Sequence, residues 1–256
     1  MKHPLRTLLL AVCCGLAAAC TQRQERLKLM SYNIRNGIGI DNIQDIDRIA
    51  RVILREAPDL VALQELDSAT LRVDGRYIPG ELGRMTGMHA TFGRAIGFAG
   101  GSYGIGLLSR TEPLAVRSIP LPGREEARVL LMAEFPDYTV CITHLSLTPE
   151  DRLASLPIIR EATDTCRKPV LRAGDFNTGN AAAVLAGLGG FRILSDTTRM
   201  TFPSDNPAVR IDYILGRGLP TSATVAESAV DHTATASDHC PLWVTLVWKR
   251  GKQPGK

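Results

Sequence analysis

The chain has 256 residues, long enough for one large domain with a substantial core and short for two, and it holds no internal repeat or low-complexity tract. Its formal net charge is +4, and Lys2 and Arg6 supply part of that, so a chain lacking its first residues carries about +2. Bulk charge therefore excludes a polybasic nucleic-acid binder, while leaving room for a local basic rim.

In chain order, the N-terminus reads as an export signal. Lys2 and Arg6 form a charged n-region, Leu8 to Leu16 an apolar h-region, and Ala17-Ala18-Ala19 a small-residue cleavage zone. The apolar stretch is too short for a comfortable membrane span. Cys20 directly after it resembles a bacterial lipobox, although Ala17 stands where Leu is usual and Leu16 lies one place earlier. The expectation is a signal peptide over 1–19, a diacylated Cys20 and a polar tether over 20–26. Two acyl chains would hold the protein at a membrane surface, periplasmic or on the cell surface. Simple secretion and a retained N-terminal anchor are the alternatives. Cys13 and Cys14 leave with the signal, so Cys141, Cys166 and Cys240 remain and allow at most one disulfide. Cys141 and Cys240 sit in strand-like segments beside His144 and His239, which could bring them close. With no C-x-x-C and no zinc-type spacing among the five His, a structural zinc site is not expected.

The domain is expected over 27–249. Leu27–Asn33 alternates as a strand, and Ile46, Ile49, Ala50, Ile53 and Leu54 share one face of a helix that Pro58 ends. A buried strand over Asp59–Leu63 delivers Gln64 and Glu65. Residues 67–100 are rich in Gly and Arg and read as mostly irregular, with a short helix near Glu81–Met85. Tyr103–Ser109 is a strand, and Arg128–Phe135 with Tyr138–Thr143 reads as a hairpin across Pro136-Asp137. Thr148, Pro149 and Asp151 start a helix that Pro157 should kink or shorten. Pro169–Arg172 is a strand and Ala181–Leu188 a small helix. Ile211–Leu215, Thr224–Ala229 and Leu242–Trp248 are the last strands, and 250–256 is a polar tail. Strands outnumber helices and hairpin-like pairs dominate. The fold class is therefore α/β in the α+β sense: two mixed sheets packed face to face with helices outside.

Several strand-like runs end on polar motifs: Asn33 in SYNIRNG, Glu65 in LQE, His144 in THL, Asp175 and Asn177 in GDFN, Asp212 in RIDYI, and Asp238 and His239 in SDH. Oxygen ligands and two histidines delivered from strand ends suit a hard divalent cation and attack on a phosphoester. Each residue alone has a plain reading. Asn33 fits a turn before Gly37, Glu65 a solvated strand end, Asp175 and Asn177 an Asp/Asn turn, and His144 a structural strand histidine. Their ordered combination favours the site.

These motifs, from about Lys28 to Trp248, resemble the endonuclease/exonuclease/phosphatase superfamily. The resemblance implies a four-layer α/β/β/α sandwich and one-step hydrolysis of a phosphoester by an in-line water. It implies Mg²⁺, which Mn²⁺ can replace, held by Glu65, Asn33 and Asp238. Asp175 would orient or deprotonate the water, Asn177 would hold a phosphate oxygen, and His239 would bond the phosphate or transfer a proton, with Asp212 accepting from it. Whether Asp175 or His239 is the general base stays open. His144 resembles the second family histidine, a phosphate donor and leaving-group acid. Tyr103 and Arg128 resemble substrate-side residues, with a half-buried strand Tyr and an ion pair of Arg128 with Glu125 as plain alternatives. Arg35 and Arg72 are weaker candidates of that kind, and Ser146, His89 and His232 show no nucleophile–base spacing.

Fold alone does not name the phosphoester. Export argues against an apurinic repair enzyme, as does the confinement of both Trp residues, Trp243 and Trp248, to the last strand. A membrane tether argues for a lipid head-group or another small phosphodiester, and SYNIRNG, TFPS and RIDYI look most like a bacterial subgroup that also resembles lipid-remodelling and sphingomyelinase domains. A phosphodiesterase is expected, with a secreted or periplasmic deoxyribonuclease, a phosphomonoesterase and a non-catalytic binding module as alternatives. A monomer is expected.

Overall fold

The structure, a computed structural model, describes residues 24–249. The signal segment, Cys20 and the tail over 250–256 lie outside the described residues, and the last part of the expected tether, from Gln24, already belongs to the first strand.

Twelve strands form two six-stranded sheets. The first sheet contains β1 (Gln24–Asn33), β2 (Leu60–Ser68), β3 (His89–Phe98), β4 (Gly101–Ser109), β11 (Thr224–Val230) and β12 (Leu242–Lys249), in the order β11-β12-β1-β2-β4-β3. The second contains β5 (Ala115–Leu121), β6 (Arg128–Glu134), β7 (Thr139–His144), β8 (Val170–Asp175), β9 (Arg192–Ile193) and β10 (Asp212–Arg217), in the order β5-β6-β7-β8-β10-β9. Helices α1 (Ile46–Glu56) and α2 (Ile78–Thr86) cover the first sheet, while α3 (Pro149–Asp164) and α4 (Ala181–Leu188) cover the second.

Strand alternation divides the side chains among the layers. Leu27 and Leu29 of β1 point between the sheets with Leu131, Ile142, Ala173 and Ile214. Met30 and Tyr32 point the other way, against Ile46, Ile49 and Ile53 of α1. Both faces of β1 are covered, so it is buried from Leu27 to Asn33, its polar residues Lys28, Ser31 and Asn33 included. Sheet directions then place the site: β1 with β2, and β7 with β8, run parallel, and β10 runs antiparallel to β8. The C-terminal ends of β1, β2, β7 and β8 and the start of β10 thus share one edge of the sandwich.

The two-sheet architecture and most strands agree with the sequence, and several details differ. Residues 67–100 contain α2 and the ten-residue β3. Gly93 there serves packing: a Cβ on it would come within 3.2 Å of Leu131 Cβ in the facing sheet. β5 was not foreseen, because as an edge strand it buries little of its surface. Leu54 is 52% exposed and Val52 takes the buried place on α1. Helix α3 runs unbroken through Pro157, because Pro157 lies on the exposed face, where water can satisfy the freed carbonyl. Thr148 occupies the N-cap position of α3 but its hydroxyl turns to Glu125 instead. Cys141, Cys166 and Cys240 are free, and Cys141 and Cys240 face different cores, on opposite sides of the second sheet.

Candidate active site

Asn33 ends β1 fully buried. Its Nδ2 donates to Glu65 Oε1 at 2.9 Å and Asp175 Oδ2 at 3.1 Å and lies 3.4 Å from His239 Nε2. Its Oδ1 accepts the Arg35 N–H at 3.1 Å. Glu65 arrives there by a bulge. Leu63 pairs with Gly106 and Leu66 with Gly104, so Gln64 and Glu65 together oppose Ile105. Glu65 takes a left-handed φ of 55°. A bulge re-aims a side chain at some backbone cost, here toward the cleft.

In the second sheet, His144 pairs with Asp175 and Asp175 with Asp212, so three adjacent strands deliver three polar side chains side by side. Gly174 permits the close register, since a Cβ there would collide with the Thr143 carbonyl. The Asn177 N–H donates to Asp175 Oδ1 at 2.8 Å, and the Asn177 Nδ2 donates to the Leu145 carbonyl at 2.8 Å. His144 Nε2 approaches Asp175 Oδ2 at 3.5 Å.

His239 completes the centre from the loop before β12. Its Nδ1 pairs with Asp212 Oδ2 at 2.9 Å, and its Nε2 lies 3.7 Å from Asp175 Oδ2. The sequence did not reveal what holds this loop. Ser237 Oγ donates to the Asn33 carbonyl at 2.7 Å and accepts the His239 N–H at 3.3 Å. Ser204 Oγ donates to the Ser237 carbonyl at 2.6 Å, and the Phe202 ring lies 4.8 Å from the His239 ring. Thr201 Oγ1 accepts the Asp212 N–H at 3.3 Å. The visible signal was TFPS itself, whose Ser204 and Phe202 reach partners over 30 residues on.

Tyr103 and Arg128 line a recess with Glu126 beside His144. Arg128 is buried and is gripped by Glu125 and Glu126, each at 3.2 Å, so the ion pair with Glu125 is present and sits at the cleft. Arg72 bonds the fully buried Asp67 through two nitrogens and stacks on Phe98 and Tyr103. Arg35 lies 3.5 Å from Asp238, which is partly exposed.

Burial and charge divide the titrating groups. Burial, and then the charge of Asp212, push the Asp175 carboxyl up to about 7. Burial works against the charge on His239, but Asp212, Asp175 and Asp238 overcome it and raise the imidazole to about 10. Burial first, then Arg128 and His239, hold His144 well below the usual histidine range. The ligand atoms of Asp175, Asp212 and His239 lie within 4.8 Å of one another. Asp212 Oδ1 and both amide atoms of Gln64 are buried without a partner among the described residues. Crowded buried carboxylates with orphaned oxygens fit a hard divalent cation, and the donor set is rich in oxygen, as such ions require. The tightest cluster is thus Asp175, Asp212 and His239, with Asn33 linking it to Glu65.

A model of the Endonuclease/Exonuclease/phosphatase family matches residues 30–239. No curated protein matches the chain. Among solved structures, an endonuclease/exonuclease/phosphatase from Beutenbergia cavernae is 23% identical, with a TM-score of 0.69 over 88% of this chain and 72% of its own. A mannosyl-6-phosphatase from Bacteroides thetaiotaomicron is 19% identical, with a TM-score of 0.68 over 86% and 99%. Humanized D. rerio TDP2 is 20% identical, with a TM-score of 0.63 over 86% and 98%. At these identities the likeness establishes the fold.

Proposed function

Because the chain belongs to the endonuclease/exonuclease/phosphatase family of metal-dependent phosphoester hydrolases, we propose that it is a Mg²⁺-dependent phosphodiesterase, tethered outside the cytoplasm through an acylated Cys20. The observation that carries the catalytic part is the buried Asp175–Asp212–His239 cluster tied through Asn33 to Glu65.

Glu65, Asn33 and Asp238 would hold the ion. When bound, Mg²⁺ or Mn²⁺ supplies positive charge to the phosphoryl oxygens. The protein's own groups divide the remaining work. Asp212 and Asp175 favour the charged form of His239, which argues for Asp175 as the base. Asp175, poised near 7, takes the proton of the attacking water, and a nearby cation lowers it toward the ordinary carboxylate range. His239, its ring fixed by Asp212, donates to the phosphoryl group and gives its proton to the leaving oxygen as that P–O bond breaks, and the proton taken up by Asp175 restores it. His144, held neutral, donates a hydrogen bond and not a proton. Arg128 and the Asn177 amide stabilise charge as it builds.

Charge favours a diester. The cleft sets many carboxylates against Arg128, and a monoanionic diester adds less negative charge than a dianionic monoester. The likeness to a mannosyl-6-phosphatase supports a second reading, a phosphomonoesterase. The deciding assay compares bis-(p-nitrophenyl) phosphate with p-nitrophenyl phosphate in Mg²⁺, with Asp175→Asn alongside. The diester should be cut faster, and the variant should lose on the order of 10²–10⁴ in turnover. Near-normal turnover in the variant would remove Asp175 from the chemistry, and monoester preference would establish the second reading.

A further inference from the structure

We infer that the tethered protein presents its site away from the membrane that holds it, so that its substrate is a water-soluble phosphoester and not a lipid of the same leaflet. This rests on the proposed acylation of Cys20 and on the hydrolase reading. Strand β1 enters at Gln24, which pairs with Lys249 at the end of β12, and finishes at Asn33 in the site. Ten residues of strand at about 3.3 Å each put roughly 30 Å between entry and site. The steps from Cys20 to Gln24 span at most about 14 Å at full extension. For the cleft to face the bilayer, the domain would have to invert and stand Gln24 roughly 30 Å above the surface, about twice the reach of that link. Lying on its side, it would open along the bilayer plane.

Fraying of β1 at its entry end is opposed by its pairing with β12 from Gln24 onward, by the burial of Leu27 and Leu29 between the sheets, and by β2 from Leu29. The entry end also has a composition suited to a membrane surface. Tyr138 and Trp248 border an apolar recess with Leu27 and Leu219, and Lys168 and Lys249 lie at the same end. Such amphipathic aromatic and lysine side chains are favoured at interfaces.

The test uses the full acylated chain in phosphatidylethanolamine/phosphatidylglycerol vesicles containing a rhodamine-labelled lipid. A dye is attached at Leu147→Cys, beside the site, or at Ser222→Cys, which accepts the Lys249 N–H at the entry end. Both proteins carry Cys166→Ser to remove the accessible native thiol. Energy transfer to the lipid should be higher from position 222 than from position 147, since transfer weakens with distance and position 222 lies at the tethered end. Equal or reversed transfer overturns the proposal. Reconstitution should leave turnover of bis-(p-nitrophenyl) phosphate within about twofold of its value in detergent, because a soluble substrate reaches an outward-facing cleft freely. A fluorogenic phosphodiester lipid in the same vesicles should be cut no faster than by Asp175→Asn, and faster cleavage also overturns the proposal. An unmodified Cys20 by mass spectrometry would sink the tether reading and the proposal with it. Acylated protein with no diester turnover would sink the phosphodiesterase reading and the substrate inference, while the transfer data still decided the orientation.

Discussion

His239 lies between Asp212 and Asp175, and burial alone would strip it of its charge. In Asp212→Asn the ring keeps a hydrogen-bond acceptor but loses the adjacent negative charge. Its titration should fall from about 10 toward the ordinary histidine range, and turnover should drop on the order of 10²–10⁴. Imidazole NMR titration measures the first effect, and a His239 still titrating near 10 would contradict the account. The raised value carries a sign: its contribution to stability is complete below the unfolded histidine pKa and is lost as pH rises through about 10. Glu125 has the opposite sign. Burial opposes its charge, yet bonds from Ser146, the Leu147 N–H and Arg128 hold its carboxyl at about 2, against an ordinary 4.5. Its contribution is present above about 4.5 and lost as pH falls toward 2. Glu125→Gln should therefore cost about 1.5 kcal/mol near pH 6, and the gap to the unmodified protein should narrow below pH 4. Urea midpoints across that range check it, and a pH-independent gap would rule out the charge of Glu125 as the cause.

Element by element, the site depends on local departures from regular structure. The bulge that turns Glu65 cannot be read from LQE, because it exists only against the partner register of Leu63 with Gly106 and Leu66 with Gly104. The alternation of β1 and the apolar runs of β8 and β12 were legible, since burial on one or both faces writes itself into residue order. Strand β3 was illegible because Gly93 answers to the facing sheet and Gly97 to Arg94 and Gly101. Helix α3 tolerates Pro157 on its exposed face at the cost of one backbone bond. Pro157→Ala should restore that bond and stabilise the protein by about 1–3 kcal/mol. A denaturant midpoint that fails to rise would mean α3 had already adapted around the proline.

At the scale of the whole molecule, two sheets bring like charges together at one edge. Burial of Asp175 and Asp212 side by side concentrates negative charge that a cation would offset. Mg²⁺ at about 100 times its Kd should add about 2.7 kcal/mol of stability, roughly 5–10 °C in Tm for a domain of this size. EDTA should reverse the shift and abolish turnover without unfolding the strands. Differential scanning calorimetry checks this, and a Tm indifferent to both Mg²⁺ and Mn²⁺ would remove the metal site. Glu65→Gln should shrink the shift, since it removes one of the hard anionic donors proposed for the ion.

Sequence by itself determined which chemistry was available: carboxylates, amides and histidines stationed at the ends of apolar runs, a pattern set by strand periodicity and readable locally. Asn33, Glu65, His144, Asp175, Asp212 and His239 were all found that way. Tertiary structure alone decided which of them meet. Asn33 and Asp175, 142 positions apart, share a hydrogen bond because the sheets stack with their strand ends aligned. The same stacking put Ser237 under Asn33 and Phe202 against His239. Those contacts follow from packing between distant segments, and packing leaves little periodic trace in the chain.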